Sequence, residues 1–300
     1  MRKFRCIILV CMLVFLFPVM TKADGNIVIE LDPGHGGMDG GASTEWFGEP
    51  VVEKDMNLKI GKYLKEELEQ YEGVTVYMTR SDDRFLELEE RTKKAMKDQA
   101  DVLISLHNNA SGEISDYDNG STVLTATGYY RKELAEEEMK LGSQILAELS
   151  SIGLEDQGFL LRTSENNSRY PNGKLADYYY IINQGITNNF MSIIIEHGFL
   201  DHGVDYKAYL HGDDALKRLA QADAKGIARY YGLKKEGKPI EKILTNRKEK
   251  LVLVGKAGGE NKETYETFYP EAIKEEESQP EEPKKTGFWQ KLQAYLKKLF

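Results

Sequence analysis

Cysteine is nearly absent from this chain of 300 residues. Its two cysteines, Cys6 and Cys11, both lie close to the N-terminus. If that segment is removed on export, the mature chain can form no disulfide bond and offers no cysteine ligand to a metal ion. Any metal site must then be built from histidine and carboxylate side chains.

The chain also has fewer basic than acidic residues. The chain has 40 Lys and Arg residues against 49 Asp and Glu residues, for a net charge of −9. Four of the basic residues precede residue 24, which leaves 36 basic against 49 acidic residues and a net charge of −13 in the remainder. Affinity for nucleic acid rests on neutralising phosphates, so we expect no nucleic-acid partner.

The first 23 residues have the layout of a secretory signal. Arg2, Lys3 and Arg5 precede an uncharged stretch at residues 6–20, and small residues stand before a predicted cut after Ala23. The stretch is short for a transmembrane helix, although an uncleaved anchor remains an alternative. We therefore expect an exported protein that acts outside the cytoplasm.

Hydrophobic periodicity predicts strands that alternate with helices from residue 27 to residue 231. The predicted strands are residues 27–31, 74–78, 101–106, 122–126, 158–162 and 192–195. The predicted helices are residues 53–72, 86–98, 131–150, 178–188 and 215–231. This alternation predicts a single α/β domain with a mainly parallel central sheet that is flanked by helices on both faces.

The composition changes after residue 233, so we place the catalytic domain at residues 24–233. Residues 234–285 are rich in Glu, Lys and Pro, which predicts a linker with little fixed structure. Residues 286–300 carry apolar side chains at helical spacing with lysines between them, which predicts an amphipathic helix. Such a helix is typical of a segment that lies on a membrane surface or docks on a partner protein, and the alternative is that it packs back on the domain.

Four residues that can bind a metal or move a proton lie near the predicted strand ends. His35 stands in a glycine-rich turn after the first strand, His107 and Glu196 follow later strands, and Glu53 starts the first helix. The carboxyl ends of parallel strands meet at one edge of a sheet. Two imidazoles and one carboxylate match a catalytic Zn²⁺ with an open position, and the remaining glutamate can then serve as general base. Taken singly, each residue also fits a plainer role, as a hydrogen-bonded core histidine or a helix-dipole partner.

Four motifs carry a resemblance to a known family. The stretches LDPGHGGMDGGA, VVEKDMNL, SLHNNA and IIIEHGFL, in this order, resemble the zinc-dependent N-acetylmuramoyl-L-alanine amidases of the amidase 3 type. The resemblance covers residues 26–233 and implies a mixed sheet flanked by helices. It implies that His35, Glu53 and His107 bind zinc and that Glu196 is the catalytic carboxylate.

The reaction implied by this resemblance is hydrolysis of peptidoglycan by a zinc-activated water. The bond cut joins N-acetylmuramic acid to the L-alanine of the stem peptide. Two alternatives stay open at this point: a zinc-dependent carbohydrate deacetylase and a non-catalytic regulator that binds the cell wall. With peptidoglycan as substrate, the expected location is the cell wall or the outer face of the cytoplasmic membrane.

Further residues are candidates for supporting roles. Asn109, Arg162 and Tyr179 are candidate substrate contacts, since aromatic faces suit sugars and an arginine suits a stem-peptide carboxylate. An ordinary surface ion pair explains Arg162 equally well. His197 directly follows Glu196 and either tunes that base from behind or is merely buried.

Overall fold

The computed structural model describes residues 25–112, 119–240 and 251–254. The predicted secretory signal and the predicted C-terminal amphipathic helix lie outside these residues. Among the residues described, no helix combines the length and the apolar character that a membrane span requires.

The domain alternates strands and helices along most of its length. The strands are β1 (Ile27–Pro33), β2 (Ser43–Trp46), β3 (Glu49–Val52), β4 (Val74–Met78), β5 (Val102–Asn109), β6 (Ser121–Leu124), β7 (Asp156–Arg162), β8 (Met191–Phe199), β9 (Lys234–Lys235), β10 (Lys238–Pro239) and β11 (Leu251–Val254). The helices are α1 (Glu53–Leu68), α2 (Leu88–Lys97), α3 (Lys132–Ser151), α4 (Tyr180–Asn188), the short α5 (Gly203–Asp205) with a π-helical turn after it (Tyr206–Leu210), and α6 (Asp213–Tyr231).

Seven strands form the central sheet, in the order β11-β7-β6-β8-β5-β1-β4. Every neighbouring pair is parallel except β6 and β8, which are antiparallel. The sheet is therefore mixed and mainly parallel, which confirms the predicted fold class. As a consequence, β6, β7 and β11 run opposite to β8, β5, β1 and β4.

Alternate residues of the two central strands pack on opposite faces of the sheet. Ile104 and Ile193 belong to the core beneath α1, α3 and α6, whereas Leu103 and Ile194 pack with residues of α2 and α4. Both faces are thus covered by helices. Strands buried on both sides are expected to be continuously apolar, as the runs of β5 and β8 are.

Helix α1 places Glu53 at the edge of the sheet. Its residues Met56, Ile60, Leu64 and Leu68 recur every four positions and are buried. Burial of each such side chain stabilises the fold by about 1.5–3 kcal/mol, so the apolar stripe fixes the helix on the sheet. Glu53 lies in the first turn, where the helix dipole favours a carboxylate.

Two central strands extend beyond their predicted ends. Strand β5 continues to Asn109 and β8 to Phe199, because their backbone pairing persists past a register shift between His107 and Asn109. His107, Glu196 and His197 therefore lie within strands rather than after them.

Short strands also lie at residues 234–239 and 251–254, after the predicted end of the domain. Strands β9 and β10 pair with each other, and β11 joins the edge of the central sheet beside β7. Of the predicted linker at residues 234–285, the structure describes only residues 234–240 and 251–254, where these strands lie. The brief apolar run of β11 supplies the pairing partner that β7 needs on its outer side.

Candidate metal and catalytic site

His35 projects from the turn that follows β1. Its backbone adopts a left-handed conformation, with φ of 61°, which is uncommon for a residue other than glycine. The ring Nδ1 lies 2.9 Å from Oδ2 of Asp39, and Nε2 lies 3.1 Å from Oε2 of Glu53. A carboxylate on one ring nitrogen orients the imidazole and leaves the other nitrogen free to act as a ligand.

Glu53 is the centre of the cluster and is only 4% exposed. Its two carboxylate oxygens have five nitrogen partners: His107 Nδ1 at 2.9 Å, Asn57 Nδ2 at 3.2 Å and the Asn108 backbone N–H at 3.2 Å on Oε1, and His35 Nε2 at 3.1 Å and the Ala42 backbone N–H at 2.9 Å on Oε2. Potential ligand atoms of His35, Glu53 and His107 all lie within 4.8 Å of one another. The fold thus brings together the three residues predicted as metal ligands.

The electrostatics of the cluster favour a positive charge at its centre. Burial by itself would raise the pKa of Glu53, but hydrogen bonds from His107 and His35 outweigh burial and hold that pKa well below 4.5. Burial would lower the pKa of His35, but Glu53 and Asp39 outweigh it and raise that pKa to about 9.

Two glycines leave the room that this cluster needs. A Cβ atom on Gly34 would lie 2.2 Å from Cε1 of His107, and a Cβ on Gly41 would lie 2.4 Å from Oε2 of Glu53. Any larger residue would displace a ligand. The donor set of two imidazoles and one carboxylate, held in this glycine cradle, fits a divalent metal ion that accepts nitrogen and oxygen ligands.

Glu196 stands beside the cluster on β8. It is the register partner of His107 on β5, so the two side chains leave the sheet on the same side. Burial raises the pKa of Glu196 above its ordinary value, against the opposing effect of His107. Its Oε2 atom is buried and makes no hydrogen bond. A buried carboxylate oxygen without a partner is costly, which marks this atom as one that awaits a ligand or a water.

Two buried arginines, which the sequence prediction missed, hold the turn that carries His35. Nη2 of Arg91 donates to the carbonyl oxygen of His35 at 2.8 Å, and Nη1 donates to Oδ1 of Asp32 at 2.7 Å. Nη2 of Arg80 donates to the carbonyl oxygen of Gly34 at 2.9 Å, and Nε donates to that of Pro33 at 2.8 Å. These contacts stabilise the left-handed conformation of His35.

A sequence signal was available for one of the two arginines. Arg80 comes just after β4, so the carboxyl-edge rule that selected His35 also selects it. Arg91 has no such signal, because it sits in a helix crowded with exposed charges such as Glu89 and Lys93. Only the tertiary fold shows that Arg91 is the one charged residue of α2 that is buried, together with Thr92 and Ala95.

His197 lies on the opposite face of the sheet from Glu196. Its ring is fully buried, with Nδ1 2.9 Å from the carbonyl oxygen of His107 and Nε2 2.8 Å from Oδ2 of Asp223. Burial would lower the pKa of His197, but the Asp223 carboxylate outweighs it and raises that pKa. His197 therefore braces the backbone of His107 and makes no hydrogen bond to the Glu196 carboxylate.

Two of the three candidate substrate contacts, Asn109 and Tyr179, lie near residues of the site. Asn109 ends β5 on the edge where His107 lies, and its Oδ1 accepts from the backbone N–H of Ala110 at 2.9 Å. Tyr179 is partly buried against the apolar cluster that contains Ile194. Burial raises the pKa of Tyr179; the neighbouring Arg162 guanidinium opposes this increase, and the Glu196 carboxylate adds to it.

Arg162 contacts Tyr178, Tyr179 and Glu165 rather than the three residues of the metal cluster. Thr122 pairs with both Gly158 and Glu196, so Arg162 is four residues past the level of Glu196, or about 13 Å along β7. Its guanidinium lies 3.7 Å from the ring centre of Tyr178. The antiparallel pairing of β6 with β8 reverses β7 and carries its carboxyl end to the opposite edge, which the sequence did not predict.

Comparisons with known proteins identify the family of this chain. The profile of the N-acetylmuramoyl-L-alanine amidase family, amidase 3, matches residues 29–229. The endolysin of Bacillus phage SPP1 is 30% identical over 209 residues, which cover 70% of this chain and 68% of the endolysin. The uncharacterised protein YqiI of Bacillus subtilis is 31% identical over 208 residues, covering 68% of this chain and 84% of YqiI.

A solved structure shows the same fold. The catalytic domain of CwlV, an N-acetylmuramoyl-L-alanine amidase from Bacillus (Paenibacillus) polymyxa var. colistinus, is 30% identical and superimposes with a TM-score of 0.51. The match covers 69% of this chain and 99% of that domain. The fold and the site define an amide hydrolase, and this chain belongs to the N-acetylmuramoyl-L-alanine amidase family, whose substrate is peptidoglycan.

Proposed function

We propose that this site cleaves the amide bond between N-acetylmuramic acid and the L-alanine of the stem peptide, with Zn²⁺ held by His35, Glu53 and His107. The observation that carries the proposal is the convergence of these three ligands beside the unpartnered carboxylate oxygen of Glu196. Two imidazoles and one carboxylate are a usual ligand set of catalytic zinc. Mg²⁺ and Ca²⁺ favour all-oxygen sites, which this donor set does not provide.

Bound in this site, zinc supplies Lewis-acid polarisation of the amide carbonyl and lowers the pKa of a water in its open position. The residues of the chain supply the rest. Asp39 holds Nδ1 of His35, so that Nε2 faces the cluster. Arg91 and Arg80 fix the carbonyl groups of the His35 turn, and Gly34 leaves room for the ring of His107.

Glu196 is the proposed general base and acid. Its free Oε2 takes a proton from the attacking water and later delivers that proton to the nitrogen of the leaving L-alanine. The oxygen of the water becomes part of the new lactyl carboxyl group, and the peptide leaves with a free amino group. This sequence of proton transfers needs no nucleophilic serine or cysteine.

For substrate contacts, we propose Asn109 and Tyr179, with Arg162 as the neighbour that positions Tyr179. Asn109 lies on the same edge of the sheet as His107. The charge of Glu196 contributes to the raised pKa of Tyr179. Arg162 also pairs with Glu165 and stacks on Tyr178. His197 acts as a brace of the His107 backbone.

Two proposals concern residues outside those described. The N-terminal signal would export the enzyme to the cell wall, its substrate, and the helix predicted at residues 286–300 would hold it on the outer face of the membrane or on a partner protein. Deleting residues 286–300 should leave amidase activity nearly unchanged and abolish co-sedimentation with anionic lipid vesicles. Equal sedimentation of both proteins would reject the membrane role, and a large fall in thermal stability would support packing on the domain.

Digestion of purified peptidoglycan by residues 24–300 tests the proposed reaction. Mass spectrometry should find stem peptides with a free L-alanine amino terminus and glycan strands without peptide. Release of acetate would instead identify a carbohydrate deacetylase, and binding without any product would identify a non-catalytic regulator. Chelation should stop the reaction, and added Zn²⁺ should restore it.

A further inference from the structure

The hairpin of β2 and β3 is anchored at the catalytic cluster. The backbone N–H of Glu53 donates to the carbonyl oxygen of Ala42 at 2.9 Å, and the backbone N–H of Ala42 donates to Oε2 of Glu53 at 2.9 Å. Each strand of the hairpin has four residues, so its tip reaches about 13 Å from this anchor. The hairpin is therefore a direct extension of the rim of the site.

Aromatic contacts fix the tip beyond the carboxyl end of β8. Nε1 of Trp46 donates to the carbonyl oxygen of Leu200 at 2.8 Å, and the Trp46 ring stacks on Tyr206 with centres 5.1 Å apart. Phe47 sets its ring edge-to-face with His211 at 5.5 Å. The rings are held in place without any contribution from a ligand.

Phe47 has a backbone conformation that is unfavourable for a bulky side chain. Its φ is 58° and that of Gly48 is 82°, the pattern of a two-residue turn in which Asn-Gly is preferred. A bulky residue in the left-handed region costs conformational energy, and such outliers cluster at ligand sites. The Phe47 side chain is nevertheless 68% exposed, so burial offsets little of this cost.

We infer that Phe47, flanked by Trp46 and His211, forms a saccharide subsite that binds the N-acetylhexosamine chain of peptidoglycan beyond the scissile bond. The inference rests on the proposed function and extends it to a polymer that must run along the rim. An exposed aromatic face suits the apolar face of a sugar ring. Exposed Glu45 and Glu49 on the same hairpin outnumber the one lysine at these rings, Lys207, whose Nζ lies 5.5 Å from the centre of the Trp46 ring. This charge balance favours a neutral glycan over the carboxylates of a stem peptide.

Substitutions at the turn separate binding from folding. Phe47→Asn removes the ring and places a residue that tolerates the left-handed conformation, so its thermal midpoint should equal or exceed that of the wild type. Phe47→Tyr keeps the ring. Tyr77→Asn is the matched control, because Tyr77 is a 43% exposed aromatic residue on the outer strand β4.

Two measurements test the subsite. The first is binding of penta-N-acetylchitopentaose, followed by Trp46 fluorescence in a Trp289→Phe background, since the chain has only two tryptophans. The second is KM on intact peptidoglycan and on a monosaccharide substrate, N-acetylmuramoyl-tripeptide. Phe47→Asn should weaken sugar binding by about tenfold and raise KM on intact peptidoglycan, with the monosaccharide substrate unaffected. Phe47→Tyr and Tyr77→Asn should behave like the wild type.

Wild-type sugar binding by Phe47→Asn, or equal losses in Tyr77→Asn, would overturn the subsite. Sugar binding requires no bond cleavage, so the two hypotheses fail separately. Amide cleavage without chitopentaose binding rejects the subsite alone. Phe47-dependent binding without amide cleavage rejects the proposed reaction and leaves the subsite standing.

Discussion

His107 and Glu196 are register partners on the adjacent parallel strands β5 and β8 in the interior of the sheet. Their side chains leave the sheet side by side, so a proposed metal ligand and a proposed proton carrier are set next to each other by backbone pairing alone. A strand buried on both faces is among the most rigid elements of a domain. The relative position of these two residues therefore does not depend on any loop.

The glycine before His35 should be required for metal binding. Gly34→Ala places a methyl group 2.2 Å from the His107 ring, and the ring must move away from Glu53. We expect metal affinity to fall by about 10–100-fold, as when the support of a ligand is lost, while the circular dichroism spectrum stays native. Gly40→Ala is the control in the same loop, because its methyl group would approach only Val52, at 3.3 Å. Equal zinc affinity in the two variants would show that the His107 ring has room to spare.

Removal of Arg91 should destabilise the protein strongly. Arg91→Met leaves the Asp32 carboxylate buried without its ion-pair partner and frees the carbonyl oxygen of His35. Loss of one partner of a buried pair costs about 3–5 kcal/mol, measurable as a reduced free energy of unfolding in urea. The exposed Lys93 on the same helix pairs with Glu89, and Lys93→Met should cost less than about 1 kcal/mol.

A double variant separates the charge of Asp32 from the geometry of the turn. Arg91→Met combined with Asp32→Asn should recover part of the lost stability, since no unpaired charge remains, but zinc affinity should stay low because the His35 carbonyl oxygen is still unsupported. Full recovery of both properties would mean that Arg91 serves only to neutralise Asp32.

Glu30 should make stability fall as the pH rises. This residue of β1 is fully buried, with the carboxylate of Asp98 as its neighbour. Burial, reinforced by the charge of Asp98, raises the pKa of Glu30 to about 8 from 4.5. The folded state therefore keeps a proton that the unfolded state releases above pH 4.5, and stability is lost progressively between pH 4.5 and about 8.

Replacing that carboxyl group should remove this part of the pH dependence. We expect Glu30→Gln to be more stable than the wild type at pH 8 by on the order of a few kcal/mol, with little difference at pH 5. Urea unfolding at both pH values measures the effect, and Glu66→Gln on the exposed side of α1 is the control. A Glu30→Gln protein whose stability changes with pH as steeply as that of the wild type would assign the slope to other groups.

Local pattern predicted most of the sheet and the convergence of the four site residues. The strand at residues 74–78 was placed with its observed bounds, because a short apolar run between breakers has few other interpretations. His35, His107 and Glu196 follow predicted parallel strands, whose carboxyl ends share one edge, and Glu53 starts the helix that follows the first of them. That rule depends only on strand direction and tolerates errors of a few residues at strand ends.

The missed features depend on contacts between distant parts of the chain. The sequence near Arg162 does not show that β6 pairs antiparallel with β8, so the direction of β7 could not be predicted. The inward position of Arg91 follows from the packing of α2 against β1, and the pairing of β11 with β7 joins residues about 90 positions apart. The turn of Phe47 and Gly48 carries an aromatic residue where Asn is usual, so turn statistics do not find it.

Metal content and activity, measured together in two glutamate variants, test the proposed division of roles most directly. Glu196→Gln should retain about one zinc ion per chain by elemental analysis and lose about 10²–10⁴-fold in amidase rate, because a positioned general base contributes that much. Glu53→Gln should lose the zinc together with the activity. A Glu196→Gln enzyme that loses its zinc while Glu53→Gln keeps it would reverse the two roles, and a Glu196→Gln enzyme with wild-type rate would contradict the proposed mechanism.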